Sequence, residues 1–291
     1  MRMKRVAAVA AVATLALGLT ACGGDGEEGA GAGSKSFAAG STMEKLNKAQ
    51  KIKVGTKFDQ PGFGQKGLSG KPEGFDVEIA KIIVKELGIP EDKIEYVETP
   101  SKVREDVIAN GTVDLVAATY TIKDERKERV SFAGPYYEAG QNIMVKKDDT
   151  TITGPDSFKD GTKKVCSVTG STPAEEIKKY VKDVATQVVL FDTYDKCRDA
   201  LKGGQVNAVT TDNVILLGFI AKDEGSFKLA GDNFTKEPYG IGVKKEDTDF
   251  RNFINDTLEK AFSDGSWKKA WDDTAGKFGA TLGTPPTINR Y

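Results

Sequence analysis

The sequence lacks histidine entirely, and it contains only 3 cysteines in 291 residues. Cysteine and histidine are the usual ligands of zinc, and histidine is the commonest general acid or base, so the composition does not favour a zinc site or an enzyme. Neither sign of charge is in excess, because 42 Lys and Arg residues face 43 Asp and Glu residues. The chain therefore lacks the basic field of a nucleic-acid-binding protein, and no motif predicts a metal or another cofactor.

Long apolar runs are also missing, since the longest, residues 6–19, is too short for a transmembrane helix of about 20 residues. It follows a cluster of basic residues and ends in Leu-Thr-Ala before Cys22. Residues 1–21 resemble a bacterial lipoprotein signal peptide, which implies cleavage before Cys22 and a lipid on that cysteine. An ordinary secretory signal is the alternative. The lipoprotein interpretation places the protein, lipid-anchored, on the extracellular face of the cell membrane.

Residues 22–42 are predicted to form a flexible tether, because they hold Gly, Ala, Ser and acidic residues and almost no large apolar side chain. The folded part is expected to begin near Met43, and its length of about 250 residues suits two lobes or one large domain. With Cys22 assigned to lipid, Cys166 and Cys197 remain and can form a disulfide outside the cytoplasm. Two buried free thiols and a metal site are the alternatives.

Strand-like apolar runs alternate with amphipathic helical segments, which predicts an α/β fold with a largely parallel sheet. The first set comprises residues 52–55, 76–87, 94–98, 103–110 and 113–118. A second set comprises residues 163–167, 173–181, 188–191, 194–202 and 207–210. The chain thus repeats its architecture, although not its sequence.

The last part of the chain is predicted to hold a strand at 239–243, a long helix and a final helix with Trp267 and Trp271. The two tryptophans are spaced i to i+4, and we expect them to pack in the core rather than to form a ligand cage. The tail after Gly279 is expected to be loose.

The segment 111–137 is the most informative for function. A buried strand at 113–118 runs into a turn containing Thr121, and Arg126 follows in a stretch with helical charge spacing. Backbone amides, a hydroxyl and a guanidinium can therefore converge on one point, which suits a carboxylate because arginine binds carboxylates with a planar fork. A surface ion pair between Arg126 and neighbouring acidic residues is the alternative.

Two sequence motifs carry a family resemblance. Gly-Phe-Asp-Val-Glu-Ile at residues 74–79 and the segment 121–126 resemble the extracellular solute-binding proteins (family 3) of polar amino-acid ABC transporters. The likeness covers nearly the whole chain after the signal peptide. Within the family it is greatest to glutamate-binding lipoproteins of Gram-positive, actinobacterial type, through the runs 57–62 and 166–173.

The resemblance implies a periplasmic-binding-protein type II fold, in which two α/β lobes joined by two hinge strands close on a ligand like a Venus flytrap. Lobe one would comprise residues 43–138 plus 240–291, and lobe two residues 141–237. The crossovers would lie near residues 137–141 and 238–240.

The resemblance also implies a ligand site for an amino acid. It assigns the ligand α-carboxylate to Arg126, Thr121 and the backbone of Thr119, and the α-ammonium to Asp212 with the Thr119 carbonyl. Such opposite charges on two lobes favour closure when both ends of the ligand are present. Without the resemblance, Asp212 would be interpreted as a helix N-cap.

Lys57, Ser101 and Arg104 align with positions that hold the distal carboxylate in glutamate and aspartate binders, which implies an acidic ligand. Judged from the residues alone, Lys57 could be a solvated loop lysine, Arg104 an exposed helix residue and Ser101 an N-cap. Because unpaired buried cations are costly, neutral analogues such as glutamine are expected to bind more weakly.

Lobe two is expected to contribute a turn at the start of a helix. Thr169, Gly170 and Ser171 could contact a carboxylate there, while Thr172 caps the helix. Thr193 occupies the position at which some relatives place a histidine against the distal carboxylate.

The implied function is capture of L-glutamate or a close acidic amino acid by a monomer, without catalysis, and delivery to an ABC permease. A glutamine or other polar amino-acid binder of the same family is one alternative. A dehydratase on the same fold, which would use buried carboxylates for acid–base chemistry, and a sensor module are the others.

Overall fold

The computed structural model describes residues 35–291. The predicted signal peptide, the lipidation residue Cys22 and most of the predicted tether lie outside the described residues. The helices are α1 (Thr42–Ala49), α2 (Phe75–Glu86), α3 (Arg104–Ala109), α4 (Asp124–Lys127), α5 (Thr172–Glu176), α6 (Val184–Gln187), α7 (Tyr194–Lys202), α8 (Asn213–Lys222), α9 (Thr248–Asp264) and α10 (Ser266–Asp273). Short 3₁₀ helices occur at Glu91–Lys93, Ser101–Val103, Pro155–Phe158, Ile177–Lys179 and Ala275–Phe278.

The strands form three sheets. They are β1 (Ile52–Thr56), β2 (Asp59–Gln60), β3 (Gly64–Lys66), β4 (Pro72–Glu73), β5 (Ile94–Glu98), β6 (Leu115–Val116), β7 (Val130–Ala139), β8 (Gln141–Lys146), β9 (Val165–Val168), β10 (Val188–Phe191), β11 (Ala208–Asp212), β12 (Phe227–Leu229) and β13 (Glu237–Lys244). The first sheet has the order β5-β1-β6-β13-β7, and the second has the order β10-β9-β11-β8-β12. A small third sheet, β2-β3-β4, was not predicted.

The predicted α/β fold with two sheet-containing lobes is confirmed, but the expectation of largely parallel sheets is wrong. β1 pairs in parallel with β5 and β6, and β9 pairs in parallel with β10 and β11. The longer strands β7, β8 and β13 pair in the antiparallel sense. Antiparallel strands can follow one another without a crossover helix, so the alternation of helices and strands does not reveal them.

Two adjacent strands carry the chain between the sheets. β7 ends at Ala139 in the first sheet, and β8 begins at Gln141 in the second. The return strand β13 starts at Glu237 and pairs with β7, with Tyr239 opposite Tyr137. The connections between the two lobes therefore lie side by side, as a hinge requires.

Trp267 and Trp271 pack in the core, as predicted, and each is 3% exposed. The Trp267 indole donates a hydrogen bond to the Tyr136 carbonyl oxygen at 2.8 Å. The ring of Trp271 stacks on Tyr137 with 4.8 Å between ring centroids. Both rings thus join α10 to strand β7 of the hinge.

The disulfide between Cys166 and Cys197 is formed, as predicted, and joins β9 to α7. The expectation of a loose tail after Gly279 is wrong. The Tyr137 hydroxyl donates to the Thr281 carbonyl at 2.9 Å, and the amide of Phe132 donates to the Tyr291 hydroxyl at 2.8 Å. The tail is fixed to β7 by such polar contacts, which leave no periodic pattern in the sequence.

The described end of the predicted tether contacts lobe one. Phe37 packs edge-on against Phe253 of α9, with 5.7 Å between ring centroids. Lys35 pairs with Glu86 at the end of α2 at 2.6 Å. None of the helices described in residues 35–291 is both long and apolar enough to cross a membrane.

Candidate functional site

The candidate site lies where the ends of neighbouring parallel strands meet. Lys57 follows β1 directly, and the turn 119–121 follows β6, which pairs in parallel with β1. β6 (Leu115–Val116) is shorter than the predicted strand 113–118, and the backbone turns beyond it at Thr119, where φ is +44°. Carboxyl ends of adjacent parallel strands share one edge of a sheet, and such edges commonly form binding crevices.

Lys57, Ser101 and Arg104 are brought together and are 3%, 3% and 2% exposed. The Lys57 ammonium donates to the Ser101 hydroxyl at 2.8 Å, and Arg104 Nε donates to the Ser101 carbonyl at 3.3 Å. The interpretations of Lys57 as a solvated lysine and Arg104 as an exposed residue are therefore wrong. Pro100, not Ser101, is the residue that precedes the 3₁₀ helix at this point.

Burial of Lys57 lowers its pKa to about 7, and the nearby positive charge of Arg104 contributes in the same direction. Two cations held close together away from water repel each other and lack full compensation. A carboxylate placed beside Lys57 would raise this pKa and offset the repulsion between the two cations. The pocket formed by these residues is therefore suited to an anionic group.

Arg126 forms the second cationic centre. Its Nη1 donates to the Thr121 carbonyl at 2.7 Å, and its Nη2 reaches across to the Gly170 carbonyl of lobe two at 3.2 Å. Nε lies 3.3 Å from Glu105. The predicted alternative of an ion pair with acidic residues of its own segment is wrong, because the carboxylate that Arg126 contacts belongs to α3.

The Tyr120 ring contacts both arginines. The guanidinium carbon of Arg104 lies 4.2 Å from the ring centroid, and that of Arg126 lies 5.1 Å from it. Cations are attracted to aromatic faces, so one buried ring holds both guanidinium groups in place. Burial, and then the charge of Arg104, lowers the pKa of Arg126 to about 10.

The turn at Thr119 is held by a carboxylate of α2, that of Asp76. Its Oδ2 accepts the Thr119 amide at 2.7 Å, and its Oδ1 accepts the Tyr136 hydroxyl at 2.5 Å. Burial raises the pKa of Asp76 to about 7. The sequence prediction did not count this residue among the binding residues, although it lies in the family motif at residues 74–79.

Lobe two approaches through the start of α5, and here the predicted cap is wrong. Ser171, not Thr172, is the N-cap, and its hydroxyl accepts the Ala174 amide at 3.1 Å. The Thr172 hydroxyl instead donates to Glu237 at 2.8 Å and lies 3.4 Å from the Thr121 hydroxyl of lobe one. The helix begins one residue earlier than the proline suggested, which frees Thr172 to face the other lobe.

Asp212 stands at the N-cap position of α8, but its carboxylate does not cap the helix. Oδ2 accepts the Tyr239 hydroxyl at 2.6 Å, and Oδ1 has no hydrogen-bond partner within residues 35–291. Burial raises the pKa of Asp212 to about 8, with the negative charge of Glu237 contributing. A ligand ammonium would supply both the missing donor and the missing positive charge.

Three further predicted residues lie at the edge of this arrangement. The Gly170 carbonyl accepts from Arg126, whereas the Thr169 amide donates to the Phe191 carbonyl at 3.0 Å. The Thr193 hydroxyl donates to Asp195 of its own helix. The structure thus joins Thr121 and Arg126 to Gly170 and Thr172 across the lobes, and it groups Lys57, Ser101 and Arg104. It directs the Thr193 hydroxyl towards α7.

The raised pKa of Asp212 predicts a pH dependence of stability in the ligand-free protein. Between its ordinary pKa of 3.8 and about 8, the folded state holds more protons than the unfolded state, so the free energy of unfolding falls as pH rises. Asp212→Asn should remove this contribution. We expect the free energy of unfolding of the variant, relative to that of the wild type, to rise by at least about 1 kcal/mol from about pH 5 to pH 8. Urea denaturation at each pH measures this difference.

The half-buried Asp223 provides the control, because its hydrogen bond from Lys202 lowers the pKa of its carboxylate. Asp223→Asn should show no such gain over this pH range. Parallel pH profiles for the wild type and Asp212→Asn would contradict the burial of an uncompensated carboxyl group.

The chain is similar to known proteins over most of its length. A family model for bacterial extracellular solute-binding proteins, family 3, matches residues 52–273. The glutamate-binding protein GluB of Corynebacterium efficiens is 40% identical over 297 residues, covering 98% of this chain and 96% of that protein. The ABC transporter glutamine-binding protein GlnH of Bacillus subtilis is 38% identical over 272 residues, covering 92% of this chain and 96% of that protein.

A solved ancestral arginine-binding protein bound to arginine superposes with a TM-score of 0.72 at 37% identity, covering 77% of this chain and 98% of that one. The names of these relatives describe binding proteins rather than enzymes, which confirms the predicted class. Within residues 35–291, His, Cys, Asp and Glu side chains form no group of three or more that could hold a metal ion.

Proposed function

Because this chain belongs to the bacterial extracellular solute-binding proteins, family 3, it is an amino-acid-binding protein, and we propose that its ligand is L-glutamate or a close acidic amino acid. The ligand would be held between the lobes and delivered to the permease of an ABC importer. Arg126, Thr121 and the Thr119 backbone would bind the α-carboxylate, and Asp212 the α-ammonium. Lys57, Ser101 and Arg104 would bind the distal carboxylate.

The observation that carries this proposal is the burial of two cationic centres on one lobe and one incompletely paired carboxylate on the other. Lys57 with Arg104 gives one place for a carboxylate, and Arg126, which contacts the same Tyr120 ring, gives a second. Asp212 gives one place for an ammonium group. An amino acid with a second carboxylate matches all three, and it would offset the cost of keeping these charges away from water.

Lobe two contributes the closing contacts in this proposal. The Thr169–Thr172 turn would cover the α-carboxylate, since Gly170 and Thr172 already contact lobe one next to Arg126. We assign Thr193 a contribution near the distal carboxylate through its position at the start of α7. The lobes are proposed to comprise residues 43–138 plus 240–291 and residues 141–237, acting as a monomer anchored through a lipid on Cys22.

L-glutamine is the second candidate, and one observation favours it. Since the pKa of Lys57 is lowered to about 7, this side chain can be neutral near pH 8, when its nitrogen could accept a hydrogen bond from a ligand amide. A relative of this chain is named as a glutamine-binding protein. The two candidate ligands differ only in their distal group, which Lys57 and its neighbours would contact.

Lys57→Met separates the two candidates. If the distal group is a carboxylate, removing the buried ammonium should weaken L-glutamate binding by at least about 100-fold, while L-glutamine binding should change by less than about tenfold. Isothermal titration calorimetry measures both affinities. Lys53→Met is a matched control, because Lys53 is exposed on β1, the strand that leads to Lys57, and its loss should leave both affinities unchanged.

Proton uptake gives an independent readout in the same titrations. Near pH 8 a carboxylate ligand should recharge Lys57, so binding of L-glutamate should take up more protons than binding of L-glutamine. Titration in two buffers of different ionisation enthalpy measures this difference, which should vanish in Lys57→Met. Tighter binding of L-glutamine by the wild type, with no difference in proton uptake, would support the second candidate instead.

A further inference from the structure

A contact outside the predicted ligand site connects the two lobes. Asp59 is the first residue of β2, two positions after Lys57 in lobe one. Its Oδ2 accepts a hydrogen bond from the backbone amide of Tyr194 at 2.7 Å. Tyr194 is the first residue of α7 in lobe two. A carboxylate of one lobe therefore lies at the N-terminus of a helix of the other.

This pairing is favourable for two reasons. The first amides of a helix have no partner within the helix, and the helix dipole attracts negative charge to this end. Neither Thr193 nor Asp195 at this helix end supplies the missing acceptor for the Tyr194 amide, because the Thr193 hydroxyl donates to Asp195, whose carboxylate accepts the Lys196 amide. Asp59 takes that place only when the lobes are together, since the two residues lie on different lobes.

The disulfide links this contact to the ligand turn. Cys197 of α7 is bonded to Cys166 of β9, and β9 leads directly into the turn at Thr169. The disulfide therefore ties α7, which Asp59 contacts, to the turn that contacts Arg126. Docking α7 on Asp59 places the turn over the ligand site.

A second close approach lies beside the first. The Pro61 carbonyl oxygen would be 2.5 Å from a Cβ atom added to Gly218 within α8 of lobe two. Segment 59–61 therefore meets both α7 and α8. The absence of a side chain at Gly218 is what allows lobe two to come this close.

We propose that Asp59 is an interlobe latch, which holds lobe two closed over the ligand by accepting the Tyr194 amide at the start of α7. This inference deepens the proposed function, because the latch acts on the same cleft. Its effect should appear in the rate at which ligand leaves, since the contact exists only in the closed arrangement.

Electrostatics and the latch predict opposite signs for the loss of Asp59. Removing a negative charge near a pocket for an acidic ligand would, through charge alone, slow the dissociation of L-glutamate. Loss of the latch should speed it. We expect Asp59→Ala to raise the dissociation rate by about tenfold, with Asp59→Asn in between because it keeps an acceptor oxygen.

Stopped-flow fluorescence gives the association and dissociation rates, and thermal denaturation reports stability. The association rate and the melting temperature should stay close to those of the wild type. Gly218→Ala should also speed dissociation by blocking closure sterically, while alanine suits the α8 helix better than glycine. Asp192→Asn, which removes an exposed interlobe pair with Lys102 at 2.7 Å, is the matched control and should change little.

Small-angle X-ray scattering tests the latch without a ligand. Asp59→Ala should have a larger radius of gyration than the wild type, whereas Asp192→Asn should not. An unchanged dissociation rate and radius of gyration in Asp59→Ala, or slower dissociation, would overturn the latch. Failure of the wild type to bind any amino acid would overturn the proposed ligand instead, and the scattering comparison would still decide the latch.

Discussion

Arg126→Ala should reduce the affinity for L-glutamate by between about 100-fold and 1,000-fold, because it removes the charged partner of the α-carboxylate from a largely buried position. The guanidinium also contacts the Gly170 carbonyl of lobe two, so the variant loses a closing contact as well. Isothermal titration calorimetry measures the loss directly. The same reduction should be seen for L-glutamine, since both ligands carry an α-carboxylate.

Arg129→Ala is the matched control for this variant. Arg129 lies three residues further along the chain, its side chain is 53% exposed, and it pairs with Asp106 on the surface. Its removal should leave the affinity within about twofold of the wild type. Equal affinities for Arg126→Ala and the wild type would show that the α-carboxylate binds elsewhere.

Trp267→Ala should lower the free energy of unfolding by about 3–5 kcal/mol, because it leaves a large cavity in the core of lobe one. The indole is 3% exposed and its nitrogen donates to the Tyr136 carbonyl oxygen. Its ring also packs edge-on against Phe262 at 5.3 Å. Urea denaturation measures the change.

Trp267→Phe separates packing from ligand contact. It should recover part of the lost stability, because the phenyl ring fills part of the cavity, although the hydrogen bond to Tyr136 remains missing. At a temperature where both variants are folded, the ratio of the affinities for L-glutamate and L-glutamine should match that of the wild type. Unchanged stability with altered specificity would instead support the ligand cage.

Much of the fold could be predicted from periodicity. The bounds of the strand Ile94–Glu98 and the helix Tyr194–Lys202 were predicted correctly, because their apolar and polar residues alternate with the period of one structure only. The antiparallel strands were less visible. β7 is buried along nearly its whole length and therefore shows no alternation.

The candidate site was predictable where residue type alone limits the role. An arginine that follows a strand suits a carboxylate, which suggested Arg126, but the choice of Arg126 and Arg104 over surface roles rested on the family resemblance. Asp76, Glu237 and Tyr239 were missed because α2 and β13, which carry them, lie far along the chain from the residues that they contact. Only the folded sheet places them beside Thr119, Thr172 and Asp212.

The N-cap of α5 and the interlobe contact of Asp59 could not be predicted for a different reason, because both depend on contacts with distant residues. A serine and a threonine in succession both suit an N-cap, and the choice between them depends on what the other can contact. Thr172 has Glu237 as a partner, so Ser171 takes the cap. Contacts between lobes are set by closure, for which a sequence carries no local signal.

The most direct test of the central claim is calorimetric titration of the wild-type protein near pH 7 with L-glutamate and L-glutamine, using L-arginine as a third ligand. Two buried cationic centres and one acceptor for an ammonium group predict that L-glutamate binds most tightly, by at least about tenfold over L-glutamine, with L-arginine weakest. Tightest binding of L-arginine or of L-glutamine would contradict the assignment of Lys57 and Arg104 to a distal carboxylate.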